Sequence, residues 1–447
     1  MQNCNMNSFN FFAEHPLRQY ANLQNASWDE IKKVQDNLLV SHLEYTCTNS
    51  PYYKEFYRAY EVRYQEISGV SGIHELPFTE KNEMIAQNFN FRAAPDKEIC
   101  DISFTSAVTG KTPSMIMLTN SDLARLAYSS ECAFKTAGVT AQDTILLCSM
   151  LEKCYLGGLG SYLGGVKTGA RMVRAGIQEP SYIWNMIQSI SPSVIVAPPS
   201  LMLKVAEFAA SIGKDPSYAG IKKIIAVTEA TRDSNLDPLP LTEKLEKLWE
   251  SLILSKYFSS ELGAACCECQ FKQGAHINPE LVVMEILDDK GRPVREGEAG
   301  ELVITPLGVK GTPLIRFRTG DISFIKTEKC FCGRTSPRLG PILGRKKQMI
   351  SINGVKLFPN TILSMLEGTD HFYGGYIEVK RSFDGTDVVT LFAALHNDDA
   401  GAGKLKDEIE ARLNTAPNIV IVAKEEIDKH MLSGRNKRTH TSFFDLR

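Results

Sequence analysis

No stretch of this sequence approaches 18 uninterrupted apolar residues, and its opening residues, MQNCNMNSFNFFAEHPLRQY, hold no basic segment followed by an apolar one. Neither a membrane-spanning helix nor a secretory leader is expected, so the reading is a cytoplasmic protein. Charge of one sign is also missing. With 50 Lys and Arg against 52 Asp and Glu the formal net charge is −2, so no global field draws in nucleic acid or anionic lipid, and an anionic ligand must be held locally. Internal repeats and low-complexity segments are absent, and a 43% hydrophobic content with only 23% charged residues excludes a disordered chain. An even cysteine framework is lacking too. The eleven cysteines include five crowded into CCEC (Cys266, Cys267, Cys269) and CFC (Cys330, Cys332), a pattern that suggests metal binding in a reducing compartment and not a set of disulfides.

What is present is enough apolar mass for a large unit and a smaller one within 447 residues. The first hundred residues read as mostly helical, with an amphipathic stretch from Ser27 and a break at Asn49-Ser50-Pro51. From there to about residue 260, helical patterns such as SLMLKVAEFAASIG alternate with short β-branched runs such as SVIVA and KKIIAV. That alternation predicts layered α/β structure with a largely parallel sheet. Between Glu280 and Lys326 the texture turns to strands and tight turns, a β-rich subregion, and after Arg345 a small α/β unit follows. The expected fold class is therefore α/β: a large unit over 1–344, a small mobile one over 345–447, and a hinge near 345–348.

One loop poses the chemical question. SFTSAVTGKTPSMIMLT contains Gly110-Lys111-Thr112, the last positions of a phosphate-binding P-loop. A Walker loop needs glycine where Thr105 stands, and it runs straight from strand into helix so that helical amides face the phosphates. Here Pro113 follows at once, SMIMLT is strand-like, and helix-start chemistry comes only at Asn120-Ser121-Asp122. The predicted context is strand, loop, strand, helix, in which a Ser/Thr/Gly/Lys hairpin can still wrap a triphosphate.

That loop resembles the SSGTTGKP signature of the AMP-forming, adenylate-making ligases, and the chain is similar to their phenylacetate-CoA ligase branch in the order of its motifs. LPFTEK (76–81), GGLGSYLGGVKTGARMVRAG (157–176), AVTEATRD (226–233), YFSSELG (257–263), PLIRFRTGD (313–321) and CFCGRTSPRLGPILGRKKQMISINGVKLFP (330–359) all fall in place. The resemblance implies activation of a small carboxylic acid, aryl or arylacetic, by ATP and Mg²⁺ through an acyl-adenylate, which the thiol of coenzyme A then attacks. Thr105, Ser106, Thr109, Gly110 and Lys111 would hold the phosphates and Glu261 the Mg²⁺. Asp321 would accept the ribose hydroxyls, with Tyr257, Ser260 and Arg345 beside the nucleotide and Glu229 and Thr231 near the adenine. Tyr155, Gly157, Gly158 and Gly160 would line the acyl pocket. A homodimer is a form that relatives often take.

Cys269, His276, Cys330 and Cys332 supply three thiolates and an imidazole, a set suited to tetrahedral Zn²⁺ with no open position and hence a structural role. Some relatives in the branch carry a similar set. Cys267 is the rival for Cys269. The sequence also departs from the family: Ala107 and Val108 stand where Gly and Ser/Thr are usual, Lys347 and Gln348 replace a frequent Asp at the hinge, and the tail SGRNKRTHTSFFDLR lacks the usual Gly-Lys. Aligned on its glycine, the catalytic lysine becomes Arg435, with Lys437 close by; aligned on the final DLR it becomes Thr439. Two alternatives remain: transfer of the acyl group to a carrier-protein thiol, and a degenerate homologue that binds nucleotide or acyl-adenylate with little ligase activity. No nucleic-acid or membrane partner is expected.

Overall fold

The computed structural model describes residues 14–105, 113–369, 371–382, 386–396, 401–433 and 442–447. The N-terminal region is helical, as its pattern requires. Ser27 accepts a hydrogen bond from the Glu30 amide and so starts α1 (Trp28–Asn49), while Pro51, with no N–H to lose, opens α2 (Pro51–Ala59). Glu80 and Glu83 form a capping box on α3 (Lys81–Ala86).

The hairpin of β1 (Ile99–Phe104) and β2 (Met115–Thr119) is antiparallel and feeds α4 (Asn120–Thr136), so the strand, loop, strand, helix reading holds. The cap of α4 differs by one residue from the expected start. Thr119 and Asp122 make the capping box: the Thr119 hydroxyl accepts from the Asp122 amide, and the Asp122 carboxylate accepts from the Thr119 amide at 2.8 Å.

The α/β alternation follows: β3 (Thr144–Leu147), α5 (Leu156–Thr168), β4 (Arg171–Arg174), α6 (Pro180–Ile190), β5 (Val194–Ala197), α7 (Pro199–Ser211), β6 (Lys223–Ala226), α8 (Pro240–Trp249) and β7 (Leu252–Ser259). Strands β4, β3, β5, β6 and β7 are parallel neighbours in that order. Every residue of β5 is buried, as expected of a parallel strand covered on both faces. The sheet then changes character. After β7 it continues antiparallel through β8 (Ala264–Cys267) and β9 (Ala275–His276) and on to two short strands from further along the chain, so only half of it is the parallel sheet that the alternation suggests.

Between these come β10 (Val282–Leu287), β11 (Gly300–Pro306) and β12 (Phe317–Ser323), joined later by β15 (Gly344–Arg345) in a four-stranded antiparallel sheet. Strands β13 (Ile325–Lys326) and β14 (Arg338–Leu339) return to the large sheet. The remaining chain builds β16 (Ile350–Ile352), β17 (Val355–Leu357), α9 (Pro359–Leu366), β18 (Phe372–Arg381), β19 (Asp387–Leu395), α10 (Gly401–Leu413), β20 (Asn418–Ile421), α11 (Lys424–Ser433) and β21 (Phe443–Asp445). Its apolar side chains, from Ile350 to Ile409, form a cluster of their own, distinct from the one that runs from Leu17 to Leu339.

Two close approaches fix the centre. Helix α5 lies so tightly on α4 that a Cβ at Gly160 would come 2.8 Å from Leu126 Cδ1, and one at Gly164 would run into the Ser130 backbone. Arg125, buried in α4, donates from Nε to Leu307 O at 2.7 Å, from Nη1 to Gly263 O at 2.8 Å and from Nη2 to Leu281 O at 2.6 Å. One guanidinium thereby ties the turn after β7 to the ends of β10 and β11. Removing the donors would leave buried carbonyls unpaired, at about 1–3 kcal/mol for each one that finds no other donor, so Arg125→Met is expected to cost about 3–5 kcal/mol, read as a fall in the urea midpoint at unchanged slope.

Candidate active site

The site is built where the parallel sheet, the antiparallel sheet and the segment before α3 meet. The LPFTEK segment is stitched to β12 by its backbone: Thr79 N–H donates to Arg316 O at 3.1 Å and Arg318 N–H to Thr79 O at 3.0 Å. That placement carries Lys81, the first residue of α3, to Glu261, with Nζ 3.1 Å from Oε1. Glu261 lies in the turn after β7, the same turn whose Gly263 carbonyl is held by Arg125.

From β7 itself the Tyr257 hydroxyl donates to Asp321 Oδ2 at 2.9 Å, and the other carboxylate oxygen of Asp321 faces Arg345 Nε at 3.4 Å. The register explains this convergence, because Asp321 of β12 pairs directly with Arg345 of β15. Burial pushes the Asp321 carboxyl up, opposed by the Arg345 guanidinium and the Tyr257 hydroxyl. Burial and the Asp321 charge together hold Tyr257 well above the ordinary tyrosine range, so it stays a donor. Tyr257, Glu261, Asp321 and Arg345, with Lys81, form one constellation: Asp321 feels the charges of Glu261 and Lys81 as well as that of Arg345. With the nucleotide role that the family resemblance implies for this constellation, Tyr257→Phe, which removes one charge-assisted hydrogen bond, is expected to raise the KM for ATP about 5- to 20-fold, consistent with about 1–2 kcal/mol, with kcat nearly unchanged.

The other expected residues are placed as follows. Thr105 is buried at the neck of the hairpin, its hydroxyl 2.5 Å from that of Ser114. Ser106, Thr109, Gly110 and Lys111, with the atypical Ala107 and Val108, lie outside the described residues, as do Arg435, Lys437 and Thr439. Ser260 is half-buried in the turn beside Glu261. Glu229 serves α7: it accepts from the Ser200 amide at 2.8 Å and the Ser200 hydroxyl at 2.6 Å at the start of that helix. Thr231 is buried, and its carbonyl accepts from the Thr242 hydroxyl at 2.8 Å. Tyr155 precedes α5, and its ring lies where a Cβ on Gly157 would fall. Gly158 and Gly160 face protein, the Met150 carbonyl and Leu126 respectively, so close packing requires glycine there.

The structure gathers Cys269, His276, Cys330 and Cys332, whose candidate ligand atoms all lie within 4.8 Å of one another. Cys267 is not among them; it belongs to β8 and packs in the core with Phe134 and Leu147. Cys269 Sγ and Cys330 Sγ are 3.7 Å apart, and Cys332 Sγ is 3.4 Å from His276 Nε2. A tetrahedral zinc with bonds of about 2.3 Å to sulfur and 2.0–2.1 Å to nitrogen has edges of about 3.5–3.8 Å, close to these two separations. Burial, with the Arg334 and Arg338 charges, pulls the His276 imidazole down to about 3 and so keeps it in the neutral, ligating form. Among the described residues its Nδ1 is buried without a hydrogen-bond partner.

Three charged residues of this region were not singled out by motif reasoning. Lys81 sits inside a motif, and its reach to Glu261 depends on the pairing of Thr79 with β12. Arg125 and Lys256 are solitary charges in apolar stretches, a signal of a buried specific role. Lys256 of β7 is buried, donates from Nζ to Ser161 Oγ at 2.8 Å, and is pulled down to about 8 by that burial.

Comparison with known proteins agrees with this architecture. The family profile described as AMP-binding enzyme matches residues 49–309, more than half of the chain. The chain belongs to that family. It is similar to the phenylacetate-coenzyme A ligase of Thermus thermophilus, 28% identical over 352 residues that cover 76% of this chain and 75% of that one. Its fold is that of 2-hydroxyisobutyryl-CoA ligase: the crystal structure of that enzyme in the postadenylation state in complex with R3-HIB-AMP aligns with a TM-score of 0.82 at 19% identity, covering 95% of this chain and 92% of that one. The same enzyme in the thioesterification state, in complex with 2-HIB-AMP and CoA, aligns over the same shares at 20% identity with a TM-score of 0.68.

Proposed function

We propose that the protein is an AMP-forming acid–thiol ligase, in which a carboxylic acid of aryl or arylacetic type attacks the α-phosphorus of ATP, pyrophosphate leaves, and coenzyme A then takes the acyl group from the adenylate. The single observation that carries the reading is the convergence of Tyr257, Glu261, Asp321 and Arg345 from three separate elements. Asp321 offers a fixed carboxylate, already oriented by a hydroxyl and a guanidinium, to the two ribose hydroxyls. Glu261 is the hard oxygen ligand for Mg²⁺, and Lys81, now on its carboxylate, stays as the neighbouring cation. When bound, the Mg²⁺ neutralises the charge that builds on the phosphate oxygens. The described protein groups hold and orient, and the chemistry is mostly positioning.

Ser106, Thr109, Gly110 and Lys111 are proposed to complete the phosphate grip, and Arg435 or Lys437 to bring the positive charge toward the acid. Residues 345–447 are proposed as a mobile unit that turns about 345–348 between an adenylating and a thioester-forming pose. The higher TM-score against the postadenylation state supports assigning the present arrangement to the first pose. The four-residue cysteine and histidine group is proposed to hold a structural zinc.

Acid-dependent exchange of labelled pyrophosphate into ATP, without coenzyme A, tests the first half-reaction over benzoates, arylacetates, cinnamates and fatty acids. Exchange with one acid class is the expected result. No exchange with any acid, in protein that binds ATP, would leave the adenylate-binding homologue as the better description.

A further inference from the structure

We propose that Lys256 is the specificity-determining residue of the acyl pocket, and that the preferred acid carries, at the end remote from its reacting carboxylate, an oxygen acceptor such as a phenolic hydroxyl or a second carboxylate. The inference rests on the ligase reading and sharpens its substrate class. Successive residues of a strand point to opposite faces, so where Tyr257 reaches Asp321 on the nucleotide side, Lys256 of the same strand reaches the side covered by α4 and α5.

There its ammonium meets the N-terminal half of α5, the segment that the family resemblance sets beside the acyl group. Nζ donates to Ser161 Oγ at 2.8 Å, and Ser161 Oγ donates in turn to Gly157 O at 2.8 Å. The ring of Phe134 lies 5.1 Å from Nζ, a cation–π contact, and the buried Cys267 thiol of the neighbouring strand is the other group that favours its charge; neither is an oxygen acceptor. An ammonium has three donors. Among the described residues Lys256 has one oxygen partner, a neutral hydroxyl, and no carboxylate within ion-pair distance, although its side chain is almost wholly enclosed.

A core position filled for packing alone would hold an apolar side chain, since an enclosed cation without a counter-charge is among the least favourable things a fold can bury. The deficit is removed by a ligand oxygen. An acid whose carboxylate lies toward Glu261 at the end of β7, and whose body runs along α5, brings its far end to Lys256. An acid without that oxygen leaves the ammonium buried and unpaired, and such a mismatch discriminates strongly against the lacking analogue.

The test compares matched acids: phenylacetate with 4-hydroxyphenylacetate, cinnamate with 4-hydroxycinnamate, and hexanoate with adipate. Wild-type protein is expected to favour the acceptor-bearing member of at least one pair by about tenfold or more in kcat/KM for pyrophosphate release. Lys256→Met, similar in volume and neutral, is expected to remove that preference and to leave the plain acid as good or better. Equal kcat/KM within every pair for the wild type, or an equal fall for both members in Lys256→Met, would overturn the proposal.

Direct binding of the same acids by calorimetry keeps the two readings apart. Selective binding that Lys256→Met abolishes supports the Lys256 assignment even in protein that releases no pyrophosphate, a result that would sink the ligase reading alone. Should Lys256→Met fail to fold, the wild-type pairs and Ser161→Ala decide. Ser161→Ala removes the one oxygen partner but keeps the charge, so the preference is expected to persist or grow, and its loss would contradict the proposal.

Discussion

Asp321→Ala is expected to lower kcat/KM for acid-dependent pyrophosphate release about 10²- to 10³-fold, the largest effect of any single substitution among the described site residues. The carboxylate is buried, accepts from Tyr257 at 2.9 Å and faces Arg345 at 3.4 Å. In the proposed ribose-binding role its loss would remove two charge-assisted hydrogen bonds to the ribose, each worth about 1.5–3 kcal/mol, and it would leave the Tyr257 hydroxyl without its acceptor. Asp321→Asn keeps one carbonyl oxygen and should fall between the two. Most of the loss should appear in the KM for ATP, because the ribose does not change in the reaction and its contacts act on ground and transition states alike. A drop confined to kcat with unchanged KM would mean that Asp321 acts elsewhere. Urea unfolding of the variants separates a local loss from a collapse of β12.

The second large effect concerns the cysteine and histidine group. Purified protein is expected to hold about one zinc per chain by elemental analysis, and Cys330→Ser to hold less than about 0.2, with a strong loss of stability. A site saturated at 1,000 times its dissociation constant contributes about 4 kcal/mol to the folded state. The position of the group says where the loss should be felt. Thr335 N–H donates to Gln24 O at 2.8 Å, and Arg334 Nε donates to Gln24 Oε1 at 3.0 Å, so the loop carrying Cys330 and Cys332 clamps the N-terminal segment. Amide exchange should rise first at 22–26 and 330–336 in Cys330→Ser, while β3, β5 and β6 stay protected. A metal-free wild type with the same melting profile and exchange pattern would contradict a structural metal.

Much of this organisation could be read from the residues because it rests on local rules. The helix from Ser27, the break at Asn49-Ser50-Pro51, the interrupted P-loop and the β-branched run of β5 each report a constraint satisfied within a few neighbouring residues. The antiparallel half of the large sheet was not legible. Strands β9, β13 and β14 are two residues each, too short to carry a period, and they pair across long sequence separations.

The site shows the same division. Asp321, Glu261 and the four metal-ligating candidates stand in motifs of distinctive chemistry. Glu229 reads equally well as a nucleotide contact, but a carboxylate near a helix N-terminus also satisfies orphan amides, and only the fold shows it capping α7 through Ser200. The partnership of Lys81 with Glu261, and the enclosure of Arg125 and Lys256, arise from tertiary placement that no spacing in the chain encodes.

The most direct test of the account is the stoichiometry of a complete turnover with ATP, Mg²⁺, a preferred acid and coenzyme A. AMP, pyrophosphate and acyl-thioester appearing in equal amounts, with no ADP, is the predicted result. ADP and inorganic phosphate in their place, or nucleotide turnover independent of the acid, would contradict it.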